Sequence, residues 1–128
     1  MFNTLLVEDN VSYRQTLSDV LHLHFPLISV DEAGDGREAL CMVEYRRPDL
    51  IFMDTQLPGE NGLSITKEIK RVYHGIVVVI LTSNSLPEHR QQAFQSGADY
   101  FLSKEDDFCM ENILARVIDV ALSRAKHH

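Results

Sequence analysis

Five side chains of the 128-residue chain could act together on a charged group: Glu8, Asp9, Asp54, Thr82 and Lys104. All five stand where an apolar run ends. Leu50-Ile51-Phe52-Met53 runs into Asp54, with the turn Leu57-Pro58-Gly59 beyond it. Thr4-Leu5-Leu6-Val7 runs into Glu8-Asp9, Ile76 to Leu81 into Thr82-Ser83, and Tyr100-Phe101-Leu102-Ser103 into Lys104. Three crowded carboxylates repel one another and raise each other's pKa unless a cation joins them. Mg²⁺ suits such a set, since it takes octahedral oxygen ligands, uses one or two carboxylates and keeps several waters. Asp9 and Asp54 are suited to direct ligation, Glu8 is expected to reach the metal through water, and the backbone carbonyl of Gln56 offers a further oxygen. Asp54 is also a candidate nucleophile, because carboxylates can form acyl phosphates. In-line phosphoryl transfer needs positioning and neutralisation of the equatorial oxygens. Mg²⁺ would take one oxygen, the Lys104 ammonium a second, and the Thr82 hydroxyl with nearby N–H groups the third. Lys104 is also expected to pair with Asp54 before reaction.

The elements that must position these groups follow from alternation. Short apolar or β-branched runs predict strands at Thr4–Val7, Ile28–Glu32, Leu50–Met53, Ile76–Leu81 and Tyr100–Ser103. Helical period predicts Val11–Leu23, Arg37–Arg46, Leu63–Tyr73, Pro87–Gln95 and about Phe108–Ala125. Ser85 to Glu88 reads as a capping box opening the fourth helix. Gly97 and Gly75 are expected to close the fourth and third helices in the left-handed region. Arg47-Pro48 ends the second, since a residue before proline avoids the right-handed α region. Strict β/α alternation implies a single α/β domain, a doubly wound parallel sheet with helices on both faces. The favoured arrangement is the flavodoxin-like (βα)5 fold with strand order 2-1-3-4-5. That order brings Glu8-Asp9, Asp54, Thr82 and Lys104 to one sheet edge, the edge where open α/β sheets bind ligands.

The totals limit the function. Twelve basic and nineteen acidic residues give a net charge of −7, which repels nucleic acid phosphates and anionic membranes. Direct nucleic acid binding and membrane association are therefore not expected. The longest apolar stretch is too short to span a bilayer, and the N-terminus lacks a signal-peptide pattern, so a cytoplasmic protein is expected. Cys41 and Cys109 lack metal-ligand spacing and read as buried or semi-buried free thiols on helices. His22, His24, His74 and His89 match no metal motif.

Each site residue has an ordinary explanation taken singly: a turn aspartate, a helix cap, turn hydroxyls, a solvated lysine. Taken together they would require independent coincidences at one edge. The ordered set Glu8-Asp9, Asp54 with Leu57-Pro58-Gly59 and Gly62, Thr82 and Lys104 resembles the receiver domain of bacterial two-component response regulators. The resemblance covers essentially all of residues 1–128, with a tail or linker from about residue 126. It implies that Asp54 accepts a phosphoryl group from a phosphohistidine on a histidine kinase or a histidine phosphotransfer protein, with Mg²⁺. It further implies self-catalysed hydrolysis of the acyl phosphate. Thr82 and the aromatic Phe101 would switch the surface of helix 4, strand 5 and helix 5. Gln56 and Asn84 occupy positions that tune dephosphorylation. A downstream effector domain or partner, and a homodimer on phosphorylation, fit the same resemblance. Two departures stand out. Glu105 follows Lys104 where the family often has proline, so a trans peptide is expected there. Phe101 replaces a more usual tyrosine.

Three alternatives compete. A haloacid-dehalogenase-like Mg²⁺ phosphatase would need a general acid two residues after its nucleophile, and Gln56 cannot serve as one. A flavodoxin-like flavin module would need a phosphate-binding first loop, and Glu8-Asp9 repels phosphate. A receiver-like interaction module that is never phosphorylated would not need the intact residue set. The expectation is therefore a phosphoacceptor, with no enzymatic activity beyond its own phosphorylation and dephosphorylation.

Overall fold

In the computed structural model, every residue of Leu50–Asp54 (β3) and of Val77–Thr82 (β4) is buried. Strands covered on both faces need apolar side chains at consecutive positions, which accounts for their unbroken runs. The structure describes residues 2–83, 86–104 and 110–126, with side chains of the last helix described over 114–124. Asn3–Val7 (β1), Ser29–Ala33 (β2) and Tyr100–Ser103 (β5) complete a parallel sheet of order β2-β1-β3-β4-β5. This is the expected flavodoxin-like order.

The helices are Val11–His24 (α1), Gly36–Arg46 (α2), Gly62–Val72 (α3), Pro87–Gln95 (α4) and Met110–Lys126 (α5). Alternate strand residues divide the core into two layers, because side chains on a strand point to opposite faces. Leu5, Val7, Ile51, Met53, Val78 and Ile80 pack with Ala39 and Val43 of α2, Ile65 and Ile69 of α3 and Ala93 of α4. Leu6, Phe52, Val79 and Leu81 pack with Leu17 and Leu21 of α1 and with Leu114, Val117 and Ile118 of α5. Each of the Val, Leu, Ile, Phe and Met side chains among them contributes about 1.5–3 kcal/mol on burial. No described helix is long and apolar enough to cross a membrane.

Local signals set the helix ends. The side chains of Asn10, Asp35 and Asn61 cap α1, α2 and α3 by accepting from the N–H groups of Tyr13, Glu38 and Leu63. The fourth helix departs from expectation. Its N-cap is Leu86, which makes no side-chain capping bond. Pro87 opens it instead, at the position where a missing N–H costs nothing; Ser85 lies outside the described residues. Gly97 has φ +101 as expected, but Gly75 is not left-handed. Lys70 does that work, donating from Nζ to the carbonyls of His74 (3.1 Å) and Ile76 (2.7 Å) and so holding the chain as it leaves α3. Arg47 leaves the right-handed region before Pro48 by entering the left-handed one, at φ 46. Cys41 is exposed, contrary to expectation, because it sits on the solvent side of α2. Cys109 lies outside the described residues.

A feature the sequence reading did not include is the antiparallel ribbon of Gln56–Leu57 with Glu60–Asn61. Gly59 turns it with φ +70. The ribbon joins the end of β3 directly to the start of α3.

Candidate functional site

Register places the acidic groups. Val7 pairs with Met53, so Glu8 and Asp54 are the next residues level with one another. Glu8 continues the β1–β2 ladder for one step, its N–H donating to the Ala33 carbonyl at 3.0 Å. The chain then turns outward through exposed Asp9 into the Asn10 cap. Glu8 is 1% exposed and Asp54 4% exposed. Thr82 is buried one residue beyond Leu81, which pairs with Asp54. Lys104 follows β5, and its N–H donates to the Thr82 carbonyl at 2.8 Å. Asp54 itself is the last residue of β3, so its backbone is held by the sheet.

These placements bring oxygens from Glu8, Asp9 and Asp54 within 4.8 Å of one another, the candidate metal cluster among the described residues. The Lys104 ammonium sits beside them. It contacts Glu8 Oε1 directly and lies 3.4 Å from Asp54 Oδ2. Asp54 Oδ1 accepts from the Gln56 N–H at 3.2 Å. The Gln56 side chain is exposed and lines the mouth of the site. Thr82 Oγ1 accepts from the Thr55 hydroxyl at 3.3 Å. Phe101 is half-buried opposite Ile80, against the layer formed with α2, α3 and α4. Asn84 and the peptide from Lys104 to Glu105 lie outside the described residues.

Burial raises the Glu8 carboxyl to about 7, with the neighbouring Asp54 carboxylate adding to the effect and Lys104 opposing it. Glu8 Oε2 is buried without a hydrogen-bond partner among the described residues. An ionised carboxylate oxygen so placed calls for a proton or a cation. The all-oxygen donor set suits a hard cation such as Mg²⁺. The mouth is a cleft of about 510 Å³, lined by Asp9, Asn10, Tyr13, Asp54, Gln56, Leu57, Pro58, Ser83 and Lys104. A small anionic group can enter it and meet Asp54, the ammonium and the cation site at once.

Three neighbours of the site escaped the sequence reading. Tyr13 lies under the Lys104 ammonium, 4.7 Å from ring centroid to Nζ. Thr55 holds Thr82 through the hydroxyl pair just described. Arg14 donates from Nη1 to the Glu8 carbonyl at 2.7 Å. Tyr13 and Arg14 lie on α1, one turn beyond the Asn10 cap, and that proximity to Glu8-Asp9 was the available signal. Gly62 shows why α3 must begin with glycine: a Cβ there would overlap the Asp54 carbonyl oxygen.

The chain matches the family described as response regulator receiver domain over residues 4–118. It is 33% identical over 116 residues to the chemotaxis protein CheY of Halobacterium salinarum, which covers 91% of this chain and 93% of that protein. It is 32% identical over 113 residues to the response regulator MprA of Mycolicibacterium vanbaalenii, covering 88% of this chain and 47% of that protein. The chain thus spans about half the length of the MprA relatives it matches. The signal receiver domain of the putative response regulator NarL from Mycobacterium tuberculosis superimposes with a TM-score of 0.81 at 29% identity, covering 94% of this chain and 95% of that one. With the family matched across both the acidic edge and the sheet that builds it, the chain belongs to the receiver domains of two-component response regulators.

Proposed function

We propose that this receiver is a phosphoacceptor, with Asp54 taking a phosphoryl group from a phosphohistidine on a histidine kinase or phosphotransfer protein. The observation that carries the reading is the meeting of Asp54 with Lys104 and the Glu8-Asp9 oxygens at the mouth of an open cleft. An Asp54 carboxylate oxygen attacks phosphorus, the phosphorus–nitrogen bond of phosphohistidine breaks, and the departing imidazole keeps the electron pair and takes up a proton. Glu8, Asp9, Asp54 and the Gln56 carbonyl would hold Mg²⁺, which when bound neutralises charge on the phosphoryl oxygens. Lys104 holds a second oxygen and separates Asp54 from its neighbouring negative charges. The Thr82 hydroxyl exchanges its contact with Thr55 for the phosphoryl group. That motion opens space behind it for Phe101 to turn inward, altering the surface of α4, β5 and α5.

The same residues argue against turnover of an outside substrate. The position two residues after Asp54 is Gln56, whose amide cannot protonate a leaving alcohol. The domain therefore acts as a signal carrier and not as an enzyme. Gln56 and Asn84 set how readily water reaches the acyl phosphate. The partners are a histidine kinase or phosphotransfer protein on the input side and an effector domain or protein on the output side.

Intact-mass spectrometry with acetyl phosphate and Mg²⁺ tests the reading. Wild type should gain one phosphoryl adduct that disappears on adding chelator beforehand, and Asp54→Asn should gain none. An undiminished adduct in Asp54→Asn, or none in wild type, overturns it.

A further inference from the structure

The peptide joining Glu8 to Asp9 sets where the Asp9 carboxylate points relative to Glu8. Its carbonyl belongs to Glu8 and its N–H to Asp9, so its plane sets ψ of one residue and φ of the other. One side of Glu8 is tied to the sheet through its N–H and the Ala33 carbonyl, at 3.0 Å. On the other side its carbonyl accepts from Arg14 Nη1 at 2.7 Å, a short, charge-assisted bond. Arg14 is itself braced: its Nε donates to Glu32 Oε1 at 3.0 Å, and Glu32 lies on β2. The Arg14 side chain is 19% exposed against 44% for Glu32. An isolated exposed ion pair contributes little, but here the guanidinium ties α1, β2 and the loop between β1 and α1 together. Rotation of the 8–9 peptide would break the Arg14 bond and swing the exposed Asp9 away from Asp54, while Glu8, held upstream through its N–H, would keep its place.

We propose that Arg14, braced by Glu32, is a positioning residue for Asp9, holding the Glu8–Asp9 peptide in the orientation that aims the Asp9 carboxylate at the cation site beside Glu8 and Asp54. Arg14 touches neither metal nor phosphoryl group; it acts through the Glu8 carbonyl. The inference rests on the proposal that Glu8, Asp9 and Asp54 hold Mg²⁺. Outer-shell partners of metal ligands typically carry ~10–100-fold in affinity, and a bond to the ligand's backbone belongs at the lower end of that range.

Calorimetric titration of the unphosphorylated domain with Mg²⁺ tests this, alongside urea unfolding of each protein. Arg14→Gln should bind Mg²⁺ roughly tenfold more weakly. Arg14→Lys, which keeps the charge and can still reach one acceptor, should recover part of the loss, and Glu32→Gln should fall between wild type and Arg14→Gln. Arg46→Gln is the control: it breaks a comparable β2 pair with Asp31, at 3.1 Å and away from the cleft, and should leave Mg²⁺ affinity unchanged. If Arg14→Gln and Arg14→Lys both bind as wild type does, whatever their unfolding midpoints, the positioning role is wrong and the cation site stands. If wild type binds no Mg²⁺, or Asp9→Asn binds as well as wild type, the cation site itself is wrong and the role of Arg14 falls with it.

Discussion

The Lys104 ammonium contacts Glu8 more closely than it contacts Asp54, although Lys104 and Glu8 are 96 residues apart in sequence. The contact joins the ends of β1 and β5 across the intervening strands β3 and β4. It also places a cation of the protein's own among three carboxylates, where it stands in for part of the charge a metal would supply.

Removing that internal cation should strengthen metal binding while impairing phosphoryl transfer. Lys104→Ala leaves the Glu8, Asp9 and Asp54 oxygens in place and removes a positive charge from among them. Mg²⁺ affinity should rise, by roughly three- to tenfold at low ionic strength, and the gain should shrink as salt is added. Phosphoryl uptake from acetyl phosphate should fall, since one equatorial oxygen loses its partner. Calorimetry and intact-mass spectrometry on the same sample would read both. Mg²⁺ affinity lower than that of wild type would contradict the competition.

The raised Glu8 pKa sets a pH dependence with a definite sign. The folded value is about 7 against 4.5 for the free side chain, so between those values the folded protein binds more protons than the unfolded one. Stability from this group is fully present below pH 4.5 and declines as pH rises to about 7, then levels off. The total is on the order of a few kcal/mol. Without metal, the difference in unfolding free energy between wild type and Glu8→Gln should therefore shift against wild type from pH 5 to pH 8. Saturating Mg²⁺ should reduce the shift, and Mg²⁺ affinity should increase over the same interval as Glu8 gives up its proton. A difference that stays flat with pH in metal-free buffer would show that Glu8 ionises normally.

The architecture was legible because both faces of β3 and β4 are covered. Buried strands must read as apolar runs, and the polar residue ending each run marks the carboxyl edge of the sheet. Asp54, Thr82 and Lys104 were visible for that reason. The features that could not be read depend on distant chain segments or on elements too short to carry a pattern. The Gln56–Leu57 and Glu60–Asn61 ribbon offers two residues per strand, below any detectable period. Arg14 meets Glu32 only because β2 and α1 fold against one another, and nothing near Lys104 in the sequence names Glu8 as its partner. Gly75 misled because a glycine after a helix usually closes it, whereas here the Lys70 ammonium satisfies the carbonyls beyond the helix end.

Gly62 should tolerate no side chain. A Cβ at this position would overlap the carbonyl oxygen of Asp54, a backbone atom held in the central strand. Either α3 moves outward or the end of β3 shifts. Gly62→Ala should lose about 2–3 kcal/mol of stability, as overpacking does in well-filled interiors, and its rate of phosphoryl uptake should drop even where the protein remains folded. Thermal unfolding and the time course of labelling check the two effects separately.

Thr82→Ala should separate acceptance of the signal from its transmission. The hydroxyl pair between Thr55 and Thr82 holds the side chain in the unmodified state, while Asp54 keeps its Gln56 and Lys104 contacts without it. The variant should still take up a phosphoryl group. Hydrogen exchange over α4 and β5 should then differ little between the unmodified and modified forms, whereas wild type should change. An exchange response equal to that of wild type would assign the switch to another group.

Asp99 lies at the opposite end of β5, outside the cleft around Asp54. Its Oδ2 accepts from the Lys70 ammonium at 3.0 Å and from the Val78 N–H at 2.9 Å, and its Oδ1 from Arg124 of α5 at 3.2 Å. One carboxylate therefore ties α3, β4 and α5 to the start of β5. Asp99→Asn keeps an acceptor for Val78 but leaves Lys70 without its counter-charge. Breaking a fully buried pair costs about 3–5 kcal/mol. With side-chain exposures of 13% and 17% for Lys70 and Asp99, a loss of about 2 kcal/mol is expected here. The five residue steps from Asp99 to Lys104 along β5 put roughly 16 Å between this network and Lys104. Mg²⁺ affinity and phosphoryl uptake should accordingly match wild type at temperatures where the variant is folded. A lowered urea midpoint with unchanged labelling is the expected pair of results, and a labelling defect at full folding would mean that the two ends of β5 are coupled.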